Sequence, residues 1–171
     1  MAAEFVSRLT KDFGRPGLPA IALTTDTSFL TAYANDVGFD GVFARQVQAL
    51  GKPGDVLVGI STSGGSVNVI RAVEAAQAAN MHTIALTGSS GPLGRMANVA
   101  ISVPSAKTQY IQEAHLAIEH IVCDLVERDH RARRRGPQQV LLLVNSAGPQ
   151  HREEVVHLVR RQRLMGFDRG L

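Results

Sequence analysis

Four short apolar segments rich in β-branched residues constrain the fold more than any other feature of this sequence. They are Pro19–Thr24 (PAIALT), Asp55–Ile60 (DVLVGI), His82–Thr87 (HTIALT) and Val99–Val103 (VAISV). Segments of this length and composition are typical of buried strands. Helical candidates separate or follow them: four longer ones at Ser28–Asp36, Gly38–Leu50, Ser66–Ala79 and Lys107–Asp129, and a short turn near Leu93–Ala97. Because strands that are apolar on both faces need helices on both faces, the pattern predicts an α/β fold, a doubly wound parallel sheet flanked by helices.

Length and composition exclude several classes of protein. A chain of 171 residues with 44% hydrophobic and 19% charged residues can bury one core, unlike a disordered chain. No apolar run approaches the roughly 18 residues that span a bilayer, and Glu4 interrupts any signal-like layout after Met1. A single cysteine, Cys123, cannot form a disulfide framework or a cysteine-based zinc site. We therefore expect a soluble, cytoplasmic protein that does not bind a membrane.

The positive charge of the chain is confined to its last quarter. Residues 1–130 contain 9 Lys and Arg against 12 Asp and Glu, whereas residues 131–171 contain 9 against 3. A basic tail could contact nucleic acid. The arginines are not interleaved with aromatic residues that would stack on bases, so we favour a solvated basic extension over a nucleic-acid partner.

The turn after the second predicted strand carries the clearest sign of a binding site. Its sequence, from Ser61 to Ser66, is STSGGS, with four hydroxyl side chains on Ser61, Thr62, Ser63 and Ser66. The N–H groups that begin the next helix have no helical partner, and anions bind at such places. Read from chemistry alone, Ser66 could equally be an ordinary N-cap in a polar turn. A P-loop lysine is missing, so no nucleotide cofactor is expected.

The run GDVLVGISTSGGSVNVIRAVEAAQAANMHTIALTG resembles the SIS (sugar isomerase) domain, in particular the sedoheptulose-7-phosphate isomerase, or phosphoheptose isomerase, family. Four more stretches agree in order and spacing: Ala2–Arg8, Ala32–Phe39, Gly41–Gly51 and Val103–His120. The resemblance covers residues 2–130. It implies a flavodoxin-like strand order, a phosphorylated sugar as substrate, and a homo-oligomer, a tetramer in the family.

The resemblance also assigns site residues. It implies that the sugar phosphate is bound by Ser61, Thr62, Ser63 and Ser66, and that Asn35 and Asp36 contact the substrate. Gln112 and His120 would line the reaction centre with Glu4 facing them, Glu4 and His120 acting as catalytic residues. Zinc is a further expectation from the resemblance, with Glu4, Gln112 and His120 as its ligands.

These residue types suit isomerisation, which needs a base to remove a proton beside a carbonyl and an acid to protonate an enediol oxygen. Gln112 and His120 are eight residues apart, about 80° around a helix, so both can face one cleft. For His115 we favour a satisfied core or interface position. Read without the resemblance, Asn35 and Asp36 are an ordinary helix end before Gly38.

Three function hypotheses follow. The first is an enzyme that converts sedoheptulose 7-phosphate to glycero-manno-heptose 7-phosphate through an enediol. The second is a non-catalytic SIS protein, a phosphosugar sensor or a protein that associates with the replication initiator. The third is an inactive, N-terminally truncated homologue that still binds phosphate.

The chain departs from the family pattern at its start and at one glycine. Met1 lies inside the helix that, in the family, follows the first strand and its loop, so that central strand and an upstream zinc histidine are missing. Gly65 stands where the family usually has asparagine. One hypothesis is that Val140–Val144, after a linker at Arg131–Pro137, inserts as the central strand of its own subunit or of a neighbour. We favour the alternative, in which residues 1–130 form the domain and residues 131–171 are a basic extension outside it.

Overall fold

The computed structural model describes residues 1–11, 14–133 and 141–144. Its helices are α1 (Ala2–Val6), α2 (Thr27–Asp36), α3 (Val42–Leu50), α4 (Val67–Ala78), α5 (Leu93–Met96) and α6 (Thr108–Arg133), with a 3-10 turn at Phe39–Gly41. Its strands are β1 (Ala20–Ala22), β2 (Val56–Ser61), β3 (His82–Thr87), β4 (Val99–Ser102) and β5 (Leu141–Val144). Each strand and helix predicted as far as Asp129 has a counterpart in this order.

The five strands form one sheet with the order β1-β5-β2-β3-β4, and all four pairings are parallel. β2 and β3 pair along their whole length, from Val56 with His82 to Ser61 with Thr87. The predicted α/β fold, a parallel sheet flanked by helices, is thereby confirmed.

The interpretation that we favoured for the C-terminal residues is wrong for Leu141–Val144. This strand lies between β1 and β2, with Leu143 in register with Ala22 on one side and with Val58 on the other. Without it, two strand edges in the middle of the sheet would leave their N–H and C=O groups unpaired, which folded proteins rarely tolerate. α6 also extends to Arg133, into the segment predicted as a linker. The rest of the C-terminal segment, residues 134–140 and 145–171, lies outside the described residues.

The sheet is covered on both faces, as the composition of its strands requires. On β2, Leu57 and Gly59 face α3 and α4, whereas Val58 and Ile60 face the opposite side. A side chain at Gly59 would meet a methyl group of Val69 at 3.1 Å, so glycine lets α4 lie close to the sheet. α6 and the start of α1 cover the second face.

The long helix α6 buries a stripe along one side. Ile111, His115, Cys123 and Glu127 are buried, and they are spaced by multiples of four residues. Such spacing places side chains on one helical face. His115 and Glu127 are therefore the two polar residues among these four buried positions.

We expect the sheet to lose stability when β5 cannot pair with β1 and β2. Proline at Leu143 removes a backbone N–H from a strand that has neighbours on both sides, so Leu143→Pro should lower the free energy of unfolding by about 3 kcal/mol or more. Leu143→Ala, which keeps the N–H, is the matched control and should lose less. Thermal and urea unfolding measure both variants. A Leu143→Pro protein as stable as wild type would contradict the central position of β5.

Candidate functional site

The loop between β2 and α4 gathers hydroxyl groups into a hydrogen-bonded cluster. Ser61 Oγ lies 2.8 Å from Ser66 Oγ and 3.2 Å from Ser63 Oγ. Ser63 Oγ also accepts a hydrogen bond from the backbone N–H of Gly65 at 3.2 Å. Ser61 is fully buried, whereas Ser63 and Gly65 are exposed. Ser61 is therefore the buried end of the cluster, and Ser63 and Gly65 form its solvent-exposed end, which a ligand can reach.

Ser66 occupies the N-cap position of α4, but its side chain makes no capping hydrogen bond. Its hydroxyl is instead directed to Ser61. In the first turn, the N–H of Val69 is satisfied by Asn68 Oδ1 at 3.0 Å and by the carbonyl of Ser66 at 3.1 Å. Anions bind near the N–H groups that begin a helix, where the helix dipole adds positive potential. This geometry favours the anion-site interpretation of the loop over the simple N-cap.

The hydroxyl loop is held in shape by the loop after β3. The N–H of Gly88 donates to the carbonyl of Thr62, and the N–H of Leu93 donates to the carbonyl of Gly64, each at 3.1 Å. Gly64 and Gly91 both have positive φ, +61° and +89°, and a Cβ on either would overlap the backbone of the other loop. The two loops thus pack backbone against backbone.

Asn35 and Asp36 end α2, as the sequence predicts, and they lie on the surface. Asn35 Nδ2 donates to Asp36 Oδ1 at 2.8 Å. A few residues later, Asp40 Oδ2 lies 3.6 Å from Arg71 Nη2 in the second turn of α4. The end of α2 is therefore near the end of α4 that carries the hydroxyl cluster.

The three residues predicted for the reaction centre are distributed along α6 and α1. Gln112 and His120 are both exposed on α6, about 12 Å apart along the helix axis at 1.5 Å per residue. Glu4 is half-buried in α1, which lies beside α6 because Met1 pairs with Glu119. In the single chain, Gln112 and His120 thus face solvent rather than a closed cavity.

His115, for which the sequence favours a core or interface position, is buried beside the end of β3. It is 3% exposed and makes a hydrogen bond with the backbone of Thr87, the last residue of β3. Its Nε2 is buried without a hydrogen-bond partner among the described residues. The core position that we favoured is correct, but the imidazole is satisfied at one nitrogen only. Its position four residues after Ile111 is the signal that places it on the buried stripe.

The described part of the chain contains no group of three or more His, Cys, Asp or Glu side chains that could hold a metal ion. Glu4 and His120 carry donor types that zinc accepts, and Gln112 adds an amide oxygen. Zinc binding by these residues stays a prediction. In the same described part, none of the helices is both long and apolar enough to span a bilayer.

Alanine substitutions at two neighbouring glycines of the loop should show which of them is required by the backbone conformation. Gly64→Ala forces a Cβ into a left-handed conformation and into the carbonyl of Ser90, so we expect a loss of about 2 kcal/mol in the free energy of unfolding. Gly65→Ala is the matched control, since the nearest atom to its Cβ would be 3.8 Å away. Thermal unfolding measures both. Equal stability of the two variants would contradict the backbone packing described above.

His115 should make stability depend on pH. Burial lowers its pKa from the ordinary value of 6.5, and the hydrogen bond with the Thr87 backbone opposes this in part. Because the unfolded chain then binds the proton more readily, the stabilisation is complete above about pH 6.5 and is lost as the pH falls. His115→Asn should flatten this acid-side decline in urea unfolding, whereas the control His120→Gln, at an exposed position, should retain it. Identical pH profiles for wild type and His115→Asn would contradict the assignment.

The comparisons with known proteins agree with one another on the family. The SIS domain family matches residues 1–88. The phosphoheptose isomerase of Roseiflexus sp. (strain RS-1) is 55% identical over 129 residues, and that of Burkholderia pseudomallei (strain K96243) is 54% identical over 128 residues. These alignments cover 75% and 74% of this chain and 64% of each relative, so the chain spans a little less than two thirds of their length.

Solved structures agree with this comparison. A phosphoheptose isomerase from Neisseria gonorrhoeae matches with a TM-score of 0.68 and 50% identity, over 74% of this chain and 67% of the other. A phosphoheptose isomerase from Francisella tularensis matches with a TM-score of 0.66 and 47% identity, over 72% and 68% of the two chains. On the family match and on these relatives, the chain belongs to the SIS domain family.

Proposed function

We propose that this protein is a phosphosugar isomerase that interconverts sedoheptulose 7-phosphate and glycero-manno-heptose 7-phosphate. The observation that carries the proposal is the hydrogen-bonded hydroxyl cluster of Ser61, Ser63 and Ser66 at the start of α4. It is supported by relatives named phosphoheptose isomerase that are 47–55% identical to this chain.

The phosphoryl end of the sugar would bind at the hydroxyl cluster. Ser61 is the buried member of the cluster and is hydrogen-bonded to Ser63 and Ser66, while Thr62 is half-buried and Ser63 is exposed to solvent. Hydroxyl donors and the unpaired N–H groups of a helix start hold a phosphate without a charged side chain. The dipole of the 12-residue helix α4 adds positive potential at the same point.

The reaction moves a carbonyl between C2 and C1 of the sugar. In the proposed mechanism the Glu4 carboxylate removes a proton from C1, and the His120 imidazolium protonates the oxygen on C2, which gives an enediol. Removal of the proton from the C1 hydroxyl and return of a proton to C2 then yields the aldose, so that no atom is gained or lost. Asn35, Asp36 and Gln112 would hold the sugar hydroxyls.

Zinc, if bound by Glu4, Gln112 and His120, would polarise the sugar oxygens as a Lewis acid. The acid–base steps above use only side chains of this chain. Glu4 keeps its place beside α6 through the contacts of α1.

The alternative is a non-catalytic phosphosugar-binding or regulatory SIS protein, including an inactive homologue. The solvent exposure of Gln112 and His120 in the single chain favours it, because general acid–base catalysis works best in a site that excludes water. A binding protein needs the hydroxyl cluster but not Glu4 or His120. Turnover therefore distinguishes the two functions, whereas phosphosugar binding does not.

We further propose that the protein works as a homo-oligomer in the cytoplasm, a tetramer by the family resemblance. The outer side of α6 supports this, because Leu116, Ile121 and Leu125 are 38–57% exposed there. A second subunit packed on this side would shield these residues from water. It would also enclose His120, which lies between Leu116 and Ile121.

The proposed isomerase makes a specific prediction for Glu4. Glu4→Gln removes the base but keeps the shape of the side chain, so kcat for sedoheptulose 7-phosphate should fall by about 100-fold or more. Glu113→Gln, an exposed glutamate on α6, is the matched control and should keep the wild-type rate. Product formation is followed by proton NMR, with and without added zinc.

Binding is measured in the same preparations by calorimetry with sedoheptulose 7-phosphate. Ser61→Ala should weaken this binding, because the cluster loses its central hydroxyl. Saturable binding by wild type without any turnover would reject the isomerase and support the non-catalytic alternative.

A further inference from the structure

A buried ion pair joins the loop after α1 to the last third of α6. Arg15 Nη2 and Nε donate to Glu127 Oε1 at 2.6 and 2.9 Å, and both side chains are only 3% exposed. The backbone N–H of Leu9 donates to the same oxygen at 2.9 Å. Glu127 thus fixes two points of the segment that follows α1.

The same guanidinium group binds the end of α1. Its Nη2 donates to the carbonyl of Glu4 at 2.7 Å, and its Nη1 donates to the carbonyl of Phe5 at 2.8 Å. These carbonyls belong to the last turn of the helix, where they have no helical partner. Arg15 therefore caps α1 with a cation at the end where the helix dipole favours one.

α1 cannot hold its own position, because a helix of five residues is far below the length that is stable in water. Its anchors are Phe5, which is 3% exposed, the contact of Met1 with Glu119 at 3.5 Å, and Arg15. Two of these anchors join the backbone of Glu4 to α6. The carbonyl of Met1 accepts from the Glu4 N–H at 3.0 Å while its ammonium group lies near Glu119, and Arg15 links the Glu4 carbonyl to the buried carboxylate of Glu127.

We infer that Arg15 and Glu127 are positioning residues for Glu4, holding its backbone at a fixed place along α6 through the Glu4 carbonyl. The inference rests on the proposed function, in which the Glu4 carboxylate is the base. A base must lie within hydrogen-bond reach of the proton that it removes, and a displacement of about 1 Å can cost about 100-fold in rate.

Cys123 offers a readout that does not require activity. It is the only cysteine of the chain, it is 1% exposed, and it lies one helical turn after Glu119 and one turn before Glu127. It is thus between two of the points where the N-terminal segment is attached to α6. Burial raises the pKa of its thiol to about 11. Release of α1 should therefore expose this thiol to a labelling reagent.

The variants are chosen so that the protein still folds. Arg15→Gln alone leaves the Glu127 carboxylate buried and unpaired, which is costly, whereas replacing both partners by apolar residues is often tolerated. The main variant is therefore the double substitution Arg15→Met with Glu127→Leu. Arg71→Gln, which breaks the exposed ion pair with Asp40 on the other side of the sheet, is the matched control.

We expect the double variant to lose about 100-fold in kcat for sedoheptulose 7-phosphate with little change in KM, and to label Cys123 about tenfold faster. Arg71→Gln should match wild type in both measurements. Added to Glu4→Gln, the double substitution should cause little further loss of kcat, because two residues that act through one group are not additive. If Arg15 and Glu127 only stabilised the fold, the double substitution would lower kcat on the Glu4→Gln background by the same factor as in wild type.

Two results would overturn the inference: wild-type labelling and kcat in the folded double variant, or a full additional loss of kcat on the Glu4→Gln background. If wild type itself does not isomerise the sugar, the proposed function fails separately. The labelling rate then still decides whether the ion pair holds α1.

Discussion

The hydrogen bonding of β5 to both of its neighbours is the constraint on which the remaining structure depends. β1 and β2 are not adjacent in the sheet, so their pairing groups are satisfied only because Leu141–Val144 lies between them. β2 carries the hydroxyl loop at its end, and β3 carries the loop that supports it. The position of the candidate site is thus set by a strand from the opposite end of the chain.

The two parts of the proposed site are held in place in different ways. The hydroxyl loop is fixed by backbone contacts that only glycine permits at Gly64 and Gly91. The predicted base, Glu4, belongs to a helix of five residues that is fixed by side chains, chiefly Arg15 and Glu127. Substrate binding and proton transfer would therefore respond to different substitutions.

Much of the fold could be predicted from the sequence, because strands that are apolar on both faces, such as Asp55–Ile60 and His82–Thr87, are buried in a parallel sheet that helices cover on both sides. The hydroxyl loop could be predicted for the same reason, since its position follows from the strand before it. The place of β5 could be raised only as the less favoured of two hypotheses, because a run such as VLLLV indicates a buried strand but not which strands it pairs with. His115 shows a similar limit: its spacing predicts burial, whereas its unpaired Nε2 depends on atoms distant in sequence. The burial of Arg15 could not be predicted, because a single sequence does not distinguish a surface arginine from a buried one.

The order of the strands along the chain has a consequence for biosynthesis. A ribosome makes β1, β2, β3 and β4 before it makes β5, yet the sheet needs β5 in an interior position. The pairing of β1 and β2 with β5 must therefore wait until β5 has been made, and it joins residues far apart in sequence. Until then the strand edges that β5 covers are available to other chains, so this stage of synthesis is the one most exposed to wrong strand pairing.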